Sequence, residues 1–556
     1  MIRLLACPRW VRGAALVVAL AALVPASPAL AHSTLVATEP SRDAVVEHSP
    51  ERVLLRFDER VETALGSLAV YDGDGDRVDA EEILRPSQRE VAVAIDGELE
   101  RGTYTVAWRV ISADSDPING AWVFHVGARG PQPSGIAAQV LGSDDFVVSA
   151  FYLSGRFVDF LLVLLCVGGT AVLVLALGAA SPHVYTRLLR LLRGFALALV
   201  LVALLGIVFQ GAAAGGLSLG EAFSWNVASS VAADTKFGHF SLMRAALALA
   251  IAALVTLVLR AGGRLTGATA AVAILLGLGM VVSPGFSGHA SVAGPVALVA
   301  DAAHVQSAAV WVGGLLFVVA ALLLADRDRW PLAAASVPRF SNLAIGSVAV
   351  LIVAGATNGY LQVRAWRGLW DTDYGVLLLI KIGLVLPLLA LGAYNNRYAV
   401  PRLRAQIASV FEQRRFLRFA GAELVVMAAI VGVTAGLVNA PPARTEVAMH
   451  SPVEREVPLG PFMSHVSVTP AMPGTNEIHL RFEGGDMPDE VRVSASLPAR
   501  DIGPLRYEPE PGMEPDSLMV QDANLSLAGE WRLRIEARRG EFELFTQTIS
   551  VPIEEE

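Results

Sequence analysis

Side chains that can hold a metal ion lie in three places along the apolar middle of the sequence. His239 and Met243 are four residues apart and Asp301 and His304 are three apart, so each pair shares one face of a helix. His289 lies between the two pairs, in the segment FSGHA. Ionisable groups inside a membrane are costly and mark functional sites. These five residues therefore predict a metal site of imidazole, thioether and carboxylate groups.

A further candidate ligand depends on removal of a signal peptide. Three arginines in the first twelve residues, an apolar stretch and the sequence ALA at 29–31 predict a signal peptide over 1–31. His32 then becomes the first residue, and its α-amine and imidazole Nδ1 chelate one metal ion. Such nitrogen chelation suits Cu(II). An accidental first residue is the alternative interpretation.

The composition places most of the chain in lipid. Of 556 residues, 54% are hydrophobic and only 17% are charged. The net charge of −9 argues against a nucleic-acid partner. With only two cysteines, the chain cannot build a disulfide framework, a cysteine-rich zinc site or an iron–sulfur cluster by itself. Any metal must be held by histidine, methionine and carboxylate groups.

The membrane part is predicted to be an eight-helix transmembrane bundle over 149–440. Eight apolar stretches are each long enough to cross the hydrocarbon core: 149–179, 194–216, 239–259, 265–283, 295–325, 341–362, 374–395 and 418–439. With the N-terminus outside, the inner loops hold fourteen arginines and the outer loops hold only Lys236, Arg364 and Arg367. This asymmetry places both flanking segments on the extracytoplasmic side.

The two flanking segments alternate apolar and polar residues and are predicted to be β domains. The first, at 32–127, reads as an all-β sandwich or barrel, either cupredoxin-like or Ig-like, and a linker at 128–148 follows it. The second, at 441–556, reads as a C-terminal all-β sandwich. It is richer in soft ligands, among them Met449, His450, Met463 and His465, which either bind Cu(I) or fill a small β core.

Three segments of the N-terminal part carry a family resemblance: AHSTLVATEP at 31–40, LRFDE at 55–59 and GTYTVAWRVISADSDPING at 102–120. The resemblance is to the CopC family of periplasmic copper-binding proteins. It implies a Cu(II) site formed by His32, Glu59, Asp114 and position 116. Position 116 holds Asp116 where the family has a histidine, which removes an imidazole and adds a negative charge. The implied copper site is therefore weaker than the family's, or altered in metal preference.

The membrane part resembles the CopD family of eight-span copper proteins. The matching segments are HA at 289–290, AHVQSAAVWVGGL at 303–315, RFS at 339–341, DYGVLLLIKIG at 373–383 and NNR at 395–397. The resemblance implies copper movement across the inner membrane. The C-terminal segment weakly resembles small extracytoplasmic YtkA-like β modules.

The predicted function is copper ion binding and transport rather than catalysis. In this prediction copper is captured outside the cell membrane and passed inward. The expected partners are the copper ion, the lipid bilayer and a periplasmic copper donor. The predicted location is the inner (cytoplasmic) membrane, with both β domains extracytoplasmic. Two alternatives stay open: a haem-binding redox protein of the cytochrome b type, which needs facing histidine pairs, and a copper-sensing or docking receptor that transports nothing.

Overall fold

The protein was described from a computed structural model. The described residues are 35–42, 44–57, 59–113, 115, 117–130, 146–291, 293–363, 366–440, 443, 453–469, 471, 474–482, 487–500, 502–511, 516–525, 527–540 and 543–553. The predicted signal peptide, most of the predicted linker, and Met449 and His450 lie outside them.

The N-terminal domain is a sandwich of two four-stranded sheets, in the orders β1-β3-β6-β5 and β2-β8-β7-β4. Five of its eight described strands, β3, β4, β6, β7 and β8, coincide with apolar segments that predict strands, at 53–57, 67–71, 91–95, 102–111 and 121–126. The three short or exposed strands β1, β2 and β5 carry little alternation and were not predicted. The strands are β1 Leu35–Glu39, β2 Val45–Val46, β3 Arg52–Phe57, β4 Glu62–Tyr71, β5 Asp79–Ser87, β6 Glu90–Ile95, β7 Gly102–Ile111 and β8 Pro117–Val126.

Aromatic side chains fill the space between these two sheets. Phe57 and Trp108 meet edge to face, with ring centroids 5.3 Å apart. A Cβ atom on Gly120 would lie 2.8 Å from the Trp108 ring, so only glycine allows the indole to pack there. His125 is buried, and its Nδ1 lies 2.9 Å from Thr103 Oγ1. His125 therefore has a structural role in this core.

Among the described residues in the middle of the chain, eight helices are long and apolar enough to cross a membrane, as the sequence predicts. Three shorter helices accompany them. In chain order the helices are α1 Phe146–Leu175, α2 Pro182–Gly215, α3 Leu219–Ala222, α4 Trp225–Asp234, α5 Lys236–Arg260, α6 Gly267–Ser287, α7 Pro295–Leu324, α8 Arg329–Val363, α9 Asp373–Tyr394, α10 Val400–Arg404 and α11 Val410–Asn439.

The predicted span limits are too short on the arginine-rich side. Helix α2 begins at Pro182 and α8 at Arg329, so the arginines at 187, 190 and 193 belong to the helix rather than to a loop. Hydropathy marks only the turns that cross the hydrocarbon, whereas arginine is a good helix former that lets the same helix continue into the interface.

Glycines bring α1 and α7 into close contact at the centre of the bundle. A Cβ atom on Gly168 would lie 1.8 Å from the Ala309 carbonyl oxygen, and one on Gly313 would lie 2.1 Å from the Leu164 oxygen. Larger residues at either position would force the two backbones apart. This contact fixes α7, the helix that carries Asp301 and His304.

The C-terminal domain is a second sandwich, with sheets ordered β14-β15-β11-β10-β9 and β13-β12-β16-β17. Trp531 fills its core, with 1% of its surface exposed, and its indole N–H donates to the Leu527 carbonyl at 2.7 Å. The strands are β9 Val453–Leu459, β10 Phe462–Thr469, β11 Gly474–Phe482, β12 Glu490–Leu497, β13 Ile502–Tyr507, β14 Glu510–Pro511, β15 Ser517–Leu525, β16 Gly529–Arg539 and β17 Glu543–Ile553.

Candidate functional site

The loop between β7 and β8 carries two of the ligands that the CopC resemblance implies. Asp114 and Asp116 themselves lie outside the described residues, as does His32, but Ala113 and Ser115 are described. Glu59 is partly buried just after β3. The position of this loop on the molecule is therefore known, whereas the arrangement of the implied ligands stays a prediction.

This loop is held against one end of the helix bundle by two side chains. The Gln210 amide, fully buried in the last turns of α2, donates to the Ser115 carbonyl at 2.6 Å. The Lys236 ammonium, at the start of α5, donates to the Ala113 carbonyl at 2.9 Å. Ser115 lies between the two implied aspartate ligands in sequence. The segment that should hold copper thus touches the membrane domain directly.

The backbone of Ser115 has a strained conformation. Its φ of +76° lies in the left-handed region, which costs a non-glycine residue about 1–3 kcal/mol. The Ser115 N–H donates to the Ser112 carbonyl at 2.9 Å, and the Gln210 amide donates to the Ser115 carbonyl. These bonds hold the strained turn, so the bundle contributes to the shape of the loop.

Lys236 connects three parts of the molecule at this point. Its ammonium also donates to the Ser291 hydroxyl at 2.9 Å, and Ser291 follows His289 by two residues. Its backbone N–H donates to the Glu62 carboxylate at 3.2 Å. A carboxylate at a helix N-terminus is favoured by the helix dipole. Glu62 is 7% exposed, so this contact is sealed from solvent.

Arg109 makes the reciprocal contact from the N-terminal domain to α2. Its guanidinium donates to the Ala213 carbonyl at 2.9 Å, in the last turn, where the helix dipole favours a positive charge. Gly216 ends this helix with a φ of +63°, and a Cβ atom there would lie 2.8 Å from Arg109 Nη2. Glycine is required both for the turn and for the approach of the arginine.

The buried Glu62 predicts that stability depends on pH. Burial raises the pKa of Glu62 above its ordinary value of 4.5, and the Lys236 N–H offsets only part of this effect. A raised folded-state pKa gives stability that is present below pH 4.5 and lost as pH rises through the raised value. The melting temperature of the wild type should therefore fall as pH rises from 4.5 through the raised pKa of Glu62. We expect this fall to be smaller in Glu62→Gln, whose side-chain amide oxygen still accepts the hydrogen bond but does not titrate.

The measurement is thermal unfolding of the purified protein from pH 4 to pH 8. Glu47→Gln is the matched control, because Glu47 is exposed in the same domain, and it should keep the wild-type dependence. Parallel curves for wild type and Glu62→Gln would show that Glu62 does not titrate in this interface.

Asp301 and His304 lie in the second and third turns of α7. A Cβ atom on Gly285 of α6 would lie 2.7 Å from the Asp301 carboxylate, and one on Gly355 of α8 would lie 3.1 Å from the His304 ring. Both side chains are therefore seated against glycines of neighbouring helices. Lys381 of α9 interacts electrostatically with both of them. The structure brings these three groups together at one level of the bundle.

His304 keeps one nitrogen available. The Leu351 backbone lies within reach of the ring, yet Nδ1 is buried and has no partner of normal hydrogen-bond geometry among the described residues. A neutral imidazole with an unpaired nitrogen is a good ligand for copper.

The other three predicted membrane ligands are less closely associated. His239 and Met243 are both exposed on α5, and His239 Nε2 donates to the Ala233 carbonyl at 2.7 Å. His289 begins a short 3₁₀ turn after α6. Within the described part of the chain, no three His, Cys, Asp or Glu residues form a ready-made metal cluster. The ligand roles of all five residues stay predictions.

Two further polar contacts stabilise the bundle. Asp159 of α1 and Arg244 of α5 form a buried ion pair at 3.2 Å, and Arg244 also donates to Ser283. Asn395 donates to the buried Glu423 carboxylate at 2.6 Å. Both contacts therefore join side chains of different helical segments.

Sequence reasoning missed the contact between the N-terminal domain and the bundle. Gln210 and Arg109 carry no motif, and Lys236 was noted only as an outer-loop charge. Two signals were present: a glutamine near the end of an otherwise apolar span, and one of only two lysines in the chain, at the start of a span. Neither signal names the partner surface, which only the fold provides.

Comparison with family models finds three matches along the chain. Residues 35–127 match the CopC domain, residues 147–298 match the N-terminal domain of copper resistance protein D-like proteins, and residues 334–437 match copper resistance protein D. Together they cover the N-terminal β domain and the membrane bundle except for residues 299–333, which include most of α7.

Individual relatives agree with these matches. "Copper transport protein CutJ" of Bacillus subtilis is 26% identical over 536 residues, which are 93% of this chain and 96% of that protein. "Protein YobA" of Escherichia coli is 30% identical over 98 residues, covering 17% of this chain and 79% of YobA. The crystal structure of CopC from Methylosinus trichosporium OB3b is 34% identical, covers 18% of this chain and 98% of that one, and has a TM-score of 0.17.

Proposed function

This chain belongs to the copper-resistance proteins that join a CopC domain to a CopD membrane domain, and from that membership we propose that it carries copper ions inward across the cytoplasmic membrane. In this proposal the N-terminal domain captures copper and passes it to Asp301 and His304 in the bundle. The observation that carries the proposal is the docking of the 112–115 loop on α2 and α5.

The contacts of Lys236 support a short transfer route. Its ammonium bonds to Ala113 in the capture loop and to Ser291, two residues beyond His289. Helix α7 begins at Pro295, and Asp301 and His304 lie six and nine residues later. At 1.5 Å per residue these groups lie roughly 9–14 Å into the helix. Copper released at the loop thus meets the outer loop first and the α7 side chains next.

The donors along this route suit copper ions. Imidazole binds copper in either oxidation state, and carboxylate adds negative charge. The N-terminal segment 32–130 contains 19 acidic and 10 basic residues, and the segment 441–556 contains 21 and 10. Two acidic domains on one side of the membrane raise the local concentration of cations there.

In this proposal copper entry is driven by the membrane potential and by trapping inside the cell rather than by nucleotide hydrolysis. The sequence contains no phosphate-binding loop of the Gly-x4-Gly-Lys-Ser/Thr type. A membrane potential, negative inside, assists cation entry by about 2.3 kcal/mol per charge per 100 mV. Trapping of copper inside the cell adds to this gradient.

The proposal is tested by the copper content of cells grown under copper limitation. Cells with the protein should contain more copper than cells without it, measured by mass spectrometry of washed cells. Lower copper in cells with the protein would indicate export, and equal copper would favour the docking receptor over the transporter.

The Asp116 departure gives a prediction about capture. We expect Asp116→His to increase the Cu(II) affinity of the purified full-length protein by about tenfold, or ~1.4 kcal/mol, because it supplies an imidazole ligand. Isothermal titration measures the change, with Asp96→His on the same domain as the control. If Asp116→His gains nothing over the control, position 116 does not face the copper site.

A further inference from the structure

The C-terminal domain presents a polar face on its five-stranded sheet. Strand β10 alternates strictly, with Phe462, Ser464, Val466 and Val468 buried in the core. The intervening residues therefore point to the opposite face, which we call the histidine face. It includes Met463, His465 and Ser467 of β10, His479 of β11 and Met519 of β15. Packing of the core does not require thioether and imidazole groups on this opposite face.

Strand register places His465 and Met519 on the two strands that flank His479. His479 is directly opposite Met519 in the pairing of β11 with β15. His479 is opposite Ser467 in the pairing of β10 with β11, so His465, two residues earlier, is its diagonal neighbour. Direct partners in a sheet have Cβ atoms about 5 Å apart and diagonal ones about 7–8 Å apart, within reach of long side chains. All three side chains are partly buried.

The same register leaves Met463 outside this group. It pairs with Pro458 of β9 and lies beyond His465, on the side away from His479 and Met519. The sequence spacing Met463-x-His465 suggests a ligand pair, but the sheet places the useful thioether two strands away, at Met519.

The surroundings of the histidine face are compatible with a cation. A groove of about 750 Å³, open to solvent, runs across it. Glu454 and Glu456 line the groove, and the Glu477 carboxylate lies 3.3 Å from His479 Nε2, which orients the ring. Arg455 and Arg481 also line the groove, so these three carboxylates exceed the two guanidinium groups by one negative charge. Such a small excess favours a cation of low charge.

The histidine face also adjoins the N-terminal domain. Strand β1 of that domain contacts β11, and β1 begins three residues after His32. Arg129 forms an ion pair of 2.7 Å with Glu510, the strand partner of Met519. A metal ion on this face would lie beside the domain that captures copper.

We propose that His465, His479 and Met519 form a Cu(I) site on the C-terminal domain. Thioether sulfur selects Cu(I) over divalent ions, and Cu(I) is satisfied by two or three soft or imidazole ligands. The ion binds without a change in oxidation state. This site goes beyond the transport route, because none of its residues belongs to the bundle or to the capture loop.

The test is an anaerobic Cu(I) titration of the full-length protein in detergent against a chromophoric Cu(I) chelator. Wild type is compared with Met519→Leu and His479→Gln, and Met463→Leu is the matched control on the same face. We expect each of the first two variants to lose one bound copper ion, or to bind it more than about tenfold more weakly. The control should bind as wild type does.

Each outcome has a clear meaning. Because these side chains lie outside the core, the variants should keep the wild-type circular dichroism, which is recorded in parallel. Equal Cu(I) binding by wild type and Met519→Leu would overturn the site, as would equal losses in Met519→Leu and Met463→Leu. The titration measures Cu(I) binding and not copper entry. Its result can therefore contradict the Cu(I) site without contradicting the transport proposal, and a failed transport test leaves the Cu(I) site unaffected.

Discussion

Replacing His304 by alanine should lower copper entry into proteoliposomes by about two orders of magnitude. Even groups that only orient a metal ligand cost 10–100-fold in affinity or activity when removed, and His304 is proposed as a ligand itself. Its buried Nδ1 has no hydrogen-bond partner of normal geometry in the described structure. Removing this nitrogen breaks no hydrogen bond of normal geometry among the described residues, so we expect the loss in transport rather than in folding.

The measurement uses purified protein in liposomes that contain a copper chelator. His183→Ala is the control, since His183 is exposed at the other end of the bundle, at the start of α2. His304→Gln tests whether an imidazole is specifically required. Equal entry through wild type and His304→Ala would remove His304 from the route.

Reversing the charge of Lys236 should have the second-largest effect. Lys236→Glu removes two hydrogen bonds donated by a charged group, each worth about 1.5–3 kcal/mol, and places a carboxylate beside Glu62. We expect the N-terminal domain to dock poorly and copper entry at limiting copper to fall about tenfold or more. At saturating copper the rate should recover, because the bundle itself is unchanged.

Arg367→Glu is the matched control for this variant. It reverses another outer-loop charge, exposed after α8 and far in sequence from the docked loop. Both variants change the net charge by the same amount, so a general electrostatic effect on copper would reduce entry equally in both. Equal effects would therefore contradict a specific role for the docking contact.

The sequence was sufficient for the architecture of the chain. Long apolar stretches and the distribution of arginine predict eight spans, and the structure has eight helices that meet the same requirement. Strands such as β7, which is buried along nearly its whole length, and β12, whose burial alternates, were also predicted. The limits of the helices were not, because the arginine-bearing turns of α2 and α8 remain helical beyond the apolar window.

The site was only partly predictable for a different reason. The spacing of Asp301 and His304 identifies both, but their neighbours Gly285, Gly355 and Lys381 come from three other helices. The same holds for His479 and Met519, which are 40 residues apart in sequence and opposite each other in the sheet. Contacts between distant segments depend on packing and register, which a single sequence does not specify.

The central claim is that copper moves inward through this protein. Its most direct test is the time course of copper arrival at a chelator inside proteoliposomes in which the β domains face outward. We predict copper entry that exceeds the rate in protein-free liposomes and that increases when the interior is made negative. Entry no faster than in protein-free liposomes, with and without the potential, would contradict the claim.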